Sequence, residues 1–226
     1  MKVSVVIPAY NEEKYIKKAL NSVMNQEVEA DEIIVVDNNS KDKTAEIAKK
    51  MGARVVPETI QGMTPARNRG FNSAKYDIIA RIDSDVVVPQ NWIKQIKKTF
   101  ARTDYDAFTG PVRFSDLFKK PSSTLASRMY LESLRLLNNG DRFLQGPNMV
   151  LKRDMWLKVR GNINLDDKKV HEDIDLSLNI LKVGGVIGLD PKLVVQISAR
   201  RIKKHPESFF IEYTARMFTT FWENKE

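Results

Sequence analysis

The sequence contains no cysteine and only two histidines among its 226 residues. The absence of cysteine excludes disulfide bonds, thiolate nucleophiles, cysteine-based zinc sites and iron–sulfur clusters. A metal ion bound by this chain would therefore need mainly oxygen ligands, which suit hard cations. The aspartate and glutamate carboxylates are therefore the candidate metal ligands.

Long uncharged stretches are lacking as well. The two longest, residues 3–11 and 143–151, have nine residues each, whereas a helix that spans a bilayer needs about 20 apolar residues. The first residues lead directly into a buried-strand pattern, without a signal-peptide cleavage pattern. We therefore expect a cytoplasmic protein with no membrane-spanning segment.

The composition that is present is that of a globular protein with an excess of basic residues. Hydrophobic residues make up 42% and charged residues 29% of the sequence, which suits a chain with one ordinary core. The formal net charge is +8. This charge favours an anionic partner, for which nucleic acid, a phosphorylated metabolite and an anionic membrane surface are the candidates.

Strand and helix patterns alternate through the first part of the chain. Short β-branched runs at residues 3–7, 32–36, 54–56 and 78–82 predict buried strands separated by helices. This alternation predicts a parallel α/β sheet with helical crossovers. Beyond Asp85 the pattern is looser, with helices expected near 92–100, 125–137 and 172–183 and strands near 108–112, 186 and 193. No internal repeat or low-complexity linker is present, so we expect one continuous domain.

Polar side chains follow three of the predicted strands. Tyr10, Asn11 and Glu12 follow the first strand, residues 37–40 (Asp-Asn-Asn-Ser) the second, and residues 83–85 (Asp-Ser-Asp) the fourth. Ligands of open α/β sheets bind outside the carboxyl ends of the strands, so these residues are candidate ligand contacts. The same residue types also favour turns and helix caps, which is the alternative interpretation.

Asp83 and Asp85 form an Asp-x-Asp pattern, in which two carboxylates can approach one hard cation from the same side. The pattern also occurs at residues 104–106 and 173–175. The position of each triplet relative to the predicted strands therefore decides which one is a candidate cation site. Only the first triplet directly follows a predicted strand. The third lies at a helix start, residues 171–173 (His-Glu-Asp), where the helix dipole favours acids even without a catalytic role.

Six short motifs follow one another along the chain. They are residues 5–12 (VVIPAYNE), 34–40 (IVVDNNS), 66–70 (ARNRG), 83–85 (DSD), 146–149 (GPNM) and 172–173 (ED). In this order they resemble the family 2 glycosyltransferases with the GT-A fold, over roughly residues 1–200. The resemblance implies a single GT-A-type domain with a mostly parallel, Rossmann-like central sheet flanked by helices. Residues 1–85 would be its nucleotide-binding half, 86–200 its acceptor half, and 201–226 a basic segment with a C-terminal amphipathic helix.

The resemblance also implies a reaction, the inverting transfer of one sugar from a nucleotide-diphospho-sugar to an acceptor hydroxyl. The residues that match the donor nucleotide site are Pro8, Tyr10, Glu12, Asp37, Asn38, Arg67 and Asp83. Asp85, together with Asp83, would bind the Mg²⁺ or Mn²⁺ that bridges the diphosphate and stabilises its developing charge. Asp173 would be the catalytic base, with Glu172 beside it. Gly146 and Asn148 would face the acceptor and the sugar.

Near the C-terminus the chain both extends and departs from the family pattern. The Gln-x-x-Arg-Trp signature of many processive members is absent, which favours addition of one sugar over polymerisation. Arg200 and Arg201 begin a basic run that would bind the diphosphate or face anionic lipid, or is simply solvated. His205 lies where some relatives have a metal-binding histidine, and a solvated side chain is the alternative.

The segment from about residue 207 to 222 predicts a helix with apolar side chains around most of its circumference. Such a helix either docks on the core or lies in a membrane interface. The second interpretation predicts a protein at the inner face of the cell membrane. It would act there on a lipid-linked acceptor in the synthesis of envelope glycans, glycolipids or glycoprotein glycans. No pattern specifies the donor sugar, the nucleotide base or the oligomeric state.

Two other functions fit part of the sequence. A nucleotidyltransferase has a similar sheet and metal-binding acids, but it needs a glycine-rich loop after the first strand, and residues 8–12 contain no glycine. A basic nucleic-acid-binding module would account for the charge of +8. Its basic residues are spread along the chain, however, and no recognition motif appears. We therefore expect a nucleotide-sugar, and not a nucleic acid, as the partner.

Overall fold

The computed structural model of the chain describes residues 1–115, 122–167, 169–200 and 219–220. None of the helices in these ranges combines the length and the apolar character that crossing a bilayer requires. The C-terminal helix expected at residues 207–222 falls outside the described residues, except for 219–220, and stays a prediction.

Strands and helices alternate from the N-terminus, as the sequence predicts. The first half contains β1 (Val3–Ala9), α1 (Ile16–Met24), β2 (Glu32–Asp37), α2 (Thr44–Lys50), β3 (Arg54–Pro57), α3 (Met63–Ser73) and β4 (Ile78–Arg81). The second half contains β5 (Val86–Val87), α4 (Trp92–Phe100), β6 (Ala107–Thr109), β7 (Val112–Phe114), α5 (Ser122–Leu137), β8 (Met149–Lys152), α6 (Arg153–Val159), α7 (Glu172–Lys182), β9 (Ile187–Leu189) and β10 (Val195–Ile197).

The central sheet has seven strands in the order β3-β2-β1-β4-β8-β6-β9. The four strands of the first half are parallel neighbours, whereas β8 runs antiparallel to both β4 and β6. The strand order reverses between β1 and β4, which is the topological switch point where ligands of open α/β sheets bind. The mostly parallel sheet implied by the resemblance is confirmed, and it joins residues from both halves of the domain.

Alternating side chains of the strands pack against helices on both faces of the sheet. Val5 and Ile7 of β1 belong to one core cluster, which also contains side chains of α1 and α4. Val6 points to the other face and belongs to a second cluster, with side chains of α3, α6 and α7. This period-two alternation explains why β1 is apolar throughout: a strand with helices on both faces has no solvent side.

Two features of the second half differ from the sequence prediction. The single strand expected at 108–112 is two strands, β6 and β7, separated by Gly110 and Pro111. Proline has no N–H to donate to a sheet ladder, so the strand is interrupted there. After this break β7 pairs with β10, which in turn pairs with β5 in a second, three-stranded sheet. The sequence predicts neither this small sheet nor α6, which follows β8 without an intervening loop.

Candidate active site

A cleft of about 200 Å³ opens at the carboxyl edge of the sheet, at the switch point between β1 and β4. It is lined by Pro8, Ala9, Tyr10, Glu12, Asn38, Gln61, Gly62, Met63, Ala66, Arg81, Asp83 and Ser84. Five residues predicted to bind the donor nucleotide are thus brought together, namely Pro8, Tyr10, Glu12, Asn38 and Asp83. The carboxyl ends of neighbouring parallel strands meet at one edge, so residues far apart in sequence share this cleft.

The loops after β1 and β2 are tied to each other below the cleft. The Asn11 backbone N–H donates to Ser40 Oγ at 3.1 Å, and Asn11 Oδ1 accepts from the Lys41 backbone at 2.7 Å. The Glu12 backbone N–H donates to Thr44 Oγ1 at 2.7 Å. These hydrogen bonds hold the first turn after β1 in place, so Tyr10 and Glu12 are presented to the cleft on a fixed loop.

Asn38 forms four hydrogen bonds with the loop that joins β3 to α3. Its Nδ2 donates to the carbonyls of Glu58 at 3.1 Å and Ile60 at 2.6 Å. Its Oδ1 accepts from the Gly62 backbone at 2.9 Å and from Gln61 Nε2 at 3.3 Å. A side-chain amide has two donor hydrogens and two acceptor lone pairs, so this network uses all of them. Asn38 therefore shapes the cleft by holding its wall, and its side chain has no hydrogen-bonding capacity left for a nucleotide.

The sequence does not predict this wall, because residues 58–63 carry no periodic pattern. Gly62 and Met63 begin α3, and the backbone N–H of Thr64 in its first turn donates to both oxygens of Asp167, at 3.0 and 3.1 Å. A side chain at Gly62 would bring its Cβ to 2.4 Å from Asp167 Oδ2. A carboxylate from the distant loop before α7 thus caps α3 at the edge of the cleft.

Below the cleft lies a cluster of buried charges centred on Arg81, the last residue of β4. One of its nitrogens, Nη2, donates to Asp83 at 3.1 Å. The other, Nη1, donates to Glu172 Oε1 at 2.5 Å and to Asp173 Oδ1 at 3.1 Å. Arg67 of α3 donates to Glu172 Oε2 at 2.7 Å. The two acids at the start of α7 are therefore held together beneath the donor cleft by two arginines.

The two acids of this pair have opposite pKa shifts. Burial opposes ionisation of Glu172, but the charges of Arg81 and Arg67 outweigh it and lower its pKa. Burial and the neighbouring Glu172 charge raise the pKa of Asp173 well above its usual value, and Arg81 only partly compensates. Glu172 is thus a permanent counter-ion of the arginines, whereas the raised pKa of Asp173 makes it the acid of the pair that binds a proton more readily. Of the two residues placed in the catalytic set from the sequence, Asp173 has the properties of a base.

Gly146 and Asn148, expected near the acceptor and the sugar, lie in the turn before β8. The Gly146 backbone N–H donates to Asp173 Oδ2 at 2.7 Å, which places this glycine at the candidate base. Asn148 is completely buried. Its Oδ1 accepts from the Trp92 indole at 3.2 Å and its Nδ2 donates to the Leu193 carbonyl at 2.6 Å. Asn148 therefore joins β8 to its surroundings inside the fold.

Two other residues predicted for the donor site lie away from the lining of the cleft. Asp37 ends β2, and its Oδ1 accepts from the Ser40 backbone at 3.3 Å, an arrangement typical of a turn. Arg67 is fully buried, and its guanidinium is directed at α7. A direct nucleotide contact for these two residues stays a prediction, while their structural contacts are evident.

Asp83 and Asp85, the two carboxylates predicted to bind a cation, lie just beyond the end of β4. Two carboxylates in this arrangement suit Mg²⁺ or Mn²⁺, with phosphate oxygens and water as the other ligands. In the described part of the chain no group of three or more Asp, Glu or His side chains is arranged to hold a metal by itself. Asp83 and Asp85 offer the oxygen ligands that suit a hard cation, and their role as metal ligands stays a prediction.

Arg200 reaches this acidic position from the other end of the chain. Its Nε donates to Asp85 Oδ2 at 2.9 Å, and its Nη2 pairs with Glu12. The guanidinium also stacks on the ring of Tyr15, 4.1 Å from its centre. A positive group thus already lies beside the predicted metal and diphosphate positions. Arg201 and His205 lie outside the described residues, so their predicted roles stay predictions.

The comparison with known proteins agrees with this geometry. The pattern that defines the family described as "Glycosyl transferase family 2" matches residues 4–159. Glycosyltransferase AglE of Haloferax volcanii is 36% identical over 121 residues, which are 50% of this chain and 40% of that protein. The chain thus spans less than half the length of this curated relative.

Two solved structures share the fold. Glucosyl-3-phosphoglycerate synthase from Mycobacterium tuberculosis, in complex with Mn²⁺, UDP and glucosyl-3-phosphoglycerate, is 21% identical with a TM-score of 0.73, covering 99% of this chain and 79% of its own. Mannosyltransferase PcManGT from Pyrobaculum calidifontis, in complex with GDP-Man and Mn²⁺, is 21% identical with a TM-score of 0.74, covering 98% of this chain and 63% of its own. Both share the α/β architecture described above. With a family match over more than half of its residues, the chain belongs to glycosyl transferase family 2 and has the GT-A fold.

Proposed function

We propose that the protein transfers one sugar from a nucleotide-diphospho-sugar to an acceptor hydroxyl, with inversion at the anomeric carbon. The observation that carries this proposal is the position of Asp173, a buried carboxylate of raised pKa that is one guanidinium away from the cleft at the switch point. A donor site and a proton acceptor in this arrangement provide the two requirements of a single-displacement transfer.

The donor nucleotide would bind in the cleft, between the loop after β1 and the wall that Asn38 holds. A diphosphate there would lie near Asp83, Asp85 and Arg200. A bound Mg²⁺ or Mn²⁺ would supply the positive charge that stabilises the departing diphosphate. The two related structures bind UDP or GDP-mannose together with Mn²⁺, which supports a donor of this class for this chain.

Asp173 would take the proton of the acceptor hydroxyl as its oxygen attacks the anomeric carbon of the donor sugar. The bond between that carbon and the phosphate oxygen breaks at the same time, and its electron pair leaves with the nucleoside diphosphate. Attack from the face opposite the leaving group inverts the anomeric centre. Because Glu172 is held ionised by two arginines, it does not compete for this proton.

For the acceptor, we propose the class that the sequence predicts, a lipid-linked molecule. The basic run and the apolar helix that favour a lipid-linked acceptor and a membrane surface lie, beyond Arg200, outside the described residues. No other function gains support from the site, since the cleft carries neither a glycine-rich triphosphate loop nor an extended basic surface among its lining residues.

The test is a panel of UDP-glucose, UDP-N-acetylglucosamine and GDP-mannose, each with Mn²⁺, Mg²⁺ or EDTA. Thermal shifts and titration calorimetry measure binding, since a ligand that binds only the native state raises the melting temperature. We expect one donor to bind in the presence of a divalent cation and to lose affinity in EDTA. Stereochemistry follows from NMR of the product anomer. Absence of binding by every donor, or retention of the anomeric configuration, would contradict the proposal.

A further inference from the structure

Arg81 connects the donor cleft with the buried acids. It lines the cleft and donates to Asp83 at 3.1 Å, on the donor side. The same guanidinium donates to Asp173 at 3.1 Å and to Glu172 at 2.5 Å, on the side of α7. A single rigid, planar group therefore determines the distance between a residue of the donor site and the candidate base.

The guanidinium is closely surrounded. Arg81 is only 2% exposed. A Cβ atom on Gly146 would lie 2.9 Å from its Nη2 and 3.0 Å from its Nη1, so a side chain at this position would push against the guanidinium. The backbone N–H of Gly146 also donates to the second oxygen of Asp173, at 2.7 Å. Asp173 is thus fixed by one hydrogen bond at each oxygen, from Arg81 and from Gly146.

The Arg81 charge and the Gly146 backbone N–H both favour the ionised form of Asp173, which burial opposes. On α7, Glu172 lies beside it and raises its pKa, in addition to the larger effect of burial. Arg67 of α3 pairs with Glu172. On α5, Tyr130 is close enough for the Asp173 charge to raise its pKa, in addition to the larger effect of burial. His171 precedes the pair along the chain. Arg81 is a cation in direct contact with Asp173, at 3.1 Å.

We propose that Arg81 is a positioning residue for sugar transfer, which favours the ionised form of the Asp173 carboxylate and orients it while it fixes Asp83 at the edge of the cleft. The inference rests on the proposed function and extends it to a residue that acts through Asp173 and Asp83. It predicts that a substitution of Arg81 changes both the position of Asp83 in the donor site and the ionisation of Asp173.

The first experiment measures the titration of Asp173 without any substrate. Carboxyl ¹³C resonances of aspartate-labelled protein are followed against pH, and Asp173→Asn identifies the resonance. In Arg81→Met we expect its midpoint to rise by about 1–3 pH units, the usual effect of an opposite charge at this distance. Arg81→Lys keeps the charge but loses the forked geometry, so a smaller rise is expected. Should the methionine variant fail to fold, the lysine variant alone decides.

Arg67→Lys is the matched control, because it disturbs a buried arginine that contacts Glu172 and makes no ion pair with Asp173. It should lower the melting temperature without raising the midpoint of Asp173. An unchanged midpoint in both Arg81 variants, or an equal rise in Arg67→Lys, would overturn the inference and leave Arg81 a structural residue.

The second experiment uses hydrolysis of the bound donor, in which water replaces the acceptor. We expect Arg81→Lys to reduce kcat at least 10-fold at pH 7, with the acid limb of the pH profile displaced upwards and partly recovered at higher pH. A purely structural role would lower the amplitude at every pH equally. If no donor of the panel binds to the wild-type protein, the proposed function fails, while the titration of Asp173 still shows whether Arg81 controls the ionisation of this carboxylate.

Discussion

Arg67 donates two hydrogen bonds to Glu172, one to the carboxylate and one to the backbone carbonyl, both at 2.7 Å. The two residues are 105 positions apart, and both are buried. Through this contact α3, which carries part of the cleft wall, fixes the start of α7, which carries the candidate base. The geometry of the donor cleft and of Asp173 is therefore maintained by the same set of ion pairs.

Glu172→Gln should destabilise the protein strongly. The substitution removes the negative charge shared by two buried arginines, and breaking a buried ion pair by removing one partner typically costs about 3–5 kcal/mol. Urea denaturation measures the free energy of unfolding. Glu46→Gln, which removes an exposed pair with Lys50, is the control and should have no measurable effect. Similar losses in both variants would show that burial of the cluster contributes nothing to its stability.

The same ion pairs predict how stability depends on pH. The two arginines lower the pKa of Glu172 to about 2, so its contribution is fully present above the unfolded-state value of 4.5 and is lost as the pH falls from there through the folded-state value. Between about pH 5 and pH 3, wild-type protein should therefore lose more unfolding free energy than Glu172→Gln. Denaturant titrations across this range compare the two slopes. Parallel curves would contradict the lowered pKa.

Asp173→Asn should reduce transfer while it raises stability at neutral pH. The amide cannot accept a proton, and loss of a general base typically costs about 10²- to 10⁴-fold in rate. The pKa of Asp173 is raised in the folded protein, so its stabilising contribution is present at low pH and is lost as the pH rises through the folded-state pKa. The melting temperature of the variant should accordingly exceed that of the wild type by an amount that grows as the pH rises above the unfolded-state value of 3.8.

Donor affinity provides the control for this variant, because Asp173 is not among the residues that line the cleft. Calorimetry should give an unchanged dissociation constant for the donor. Retained turnover, or an equal loss of turnover in Glu172→Gln once its lower stability is taken into account, would show that the division of roles between the two acids is wrong.

Asp85→Ala should abolish the metal dependence of donor binding and leave the fold intact. Asp85 stands between β4 and the small second sheet, where its Oδ2 accepts from Arg200 at 2.9 Å. Titration calorimetry with and without Mn²⁺ measures the metal-dependent part of the affinity. Asp104→Ala, in an Asp-x-Asp triplet that precedes β6, is the matched control and should behave as wild type. Near-normal turnover of Asp85→Ala at saturating Mn²⁺ would exclude this residue as a ligand.

A test of the predicted membrane binding should leave the contacts of the candidate active site intact. Thr220 is buried, and its Oγ1 accepts from the His171 backbone at 2.7 Å, one residue before Glu172. Deleting everything beyond Pro206 would remove this contact and disturb the start of α7. Charge reversal of Lys203 and Lys204 is therefore the sharper variant. Co-sedimentation with anionic vesicles should decrease, because each basic residue near such a surface contributes about 1 kcal/mol. Absent or unchanged binding would favour a soluble acceptor.

The sequence predicts which residues lie at the edge of the sheet better than it predicts the buried contacts of the site. Tyr10, Glu12 and Asp83 could be placed at the cleft because each follows a recognisable strand, and parallel strands bring their carboxyl ends together. Arg81 could not be singled out. A lone arginine at the end of an apolar strand resembles an exposed residue, since arginine is almost never fully buried unless paired. Its partners Glu172 and Asp173 lie 91 and 92 positions away, beyond any local pattern.

The side-chain contacts of Asn38 could not be predicted from the sequence either. The resemblance places this residue among those that line the donor nucleotide site. In the structure its polar groups hold residues 58–62, a loop without a pattern that reveals its conformation. A motif can thus specify where a residue lies without specifying which partner it contacts.

Asn38→Asp tests this interpretation with a change of one atom. The carboxylate cannot donate to the carbonyls of Glu58 and Ile60, so two hydrogen bonds are replaced by repulsion between oxygens. We expect faster amide exchange at residues 60–62 and donor binding weakened at least 10-fold, since one lost buried hydrogen bond with an unsatisfied partner costs about 1–3 kcal/mol. Asn39→Asp, which removes a single exposed hydrogen bond to Thr59, should have a smaller effect on both measurements. A direct nucleotide contact by Asn38 would instead weaken donor binding while amide exchange of the loop in the free protein stays at the wild-type rate.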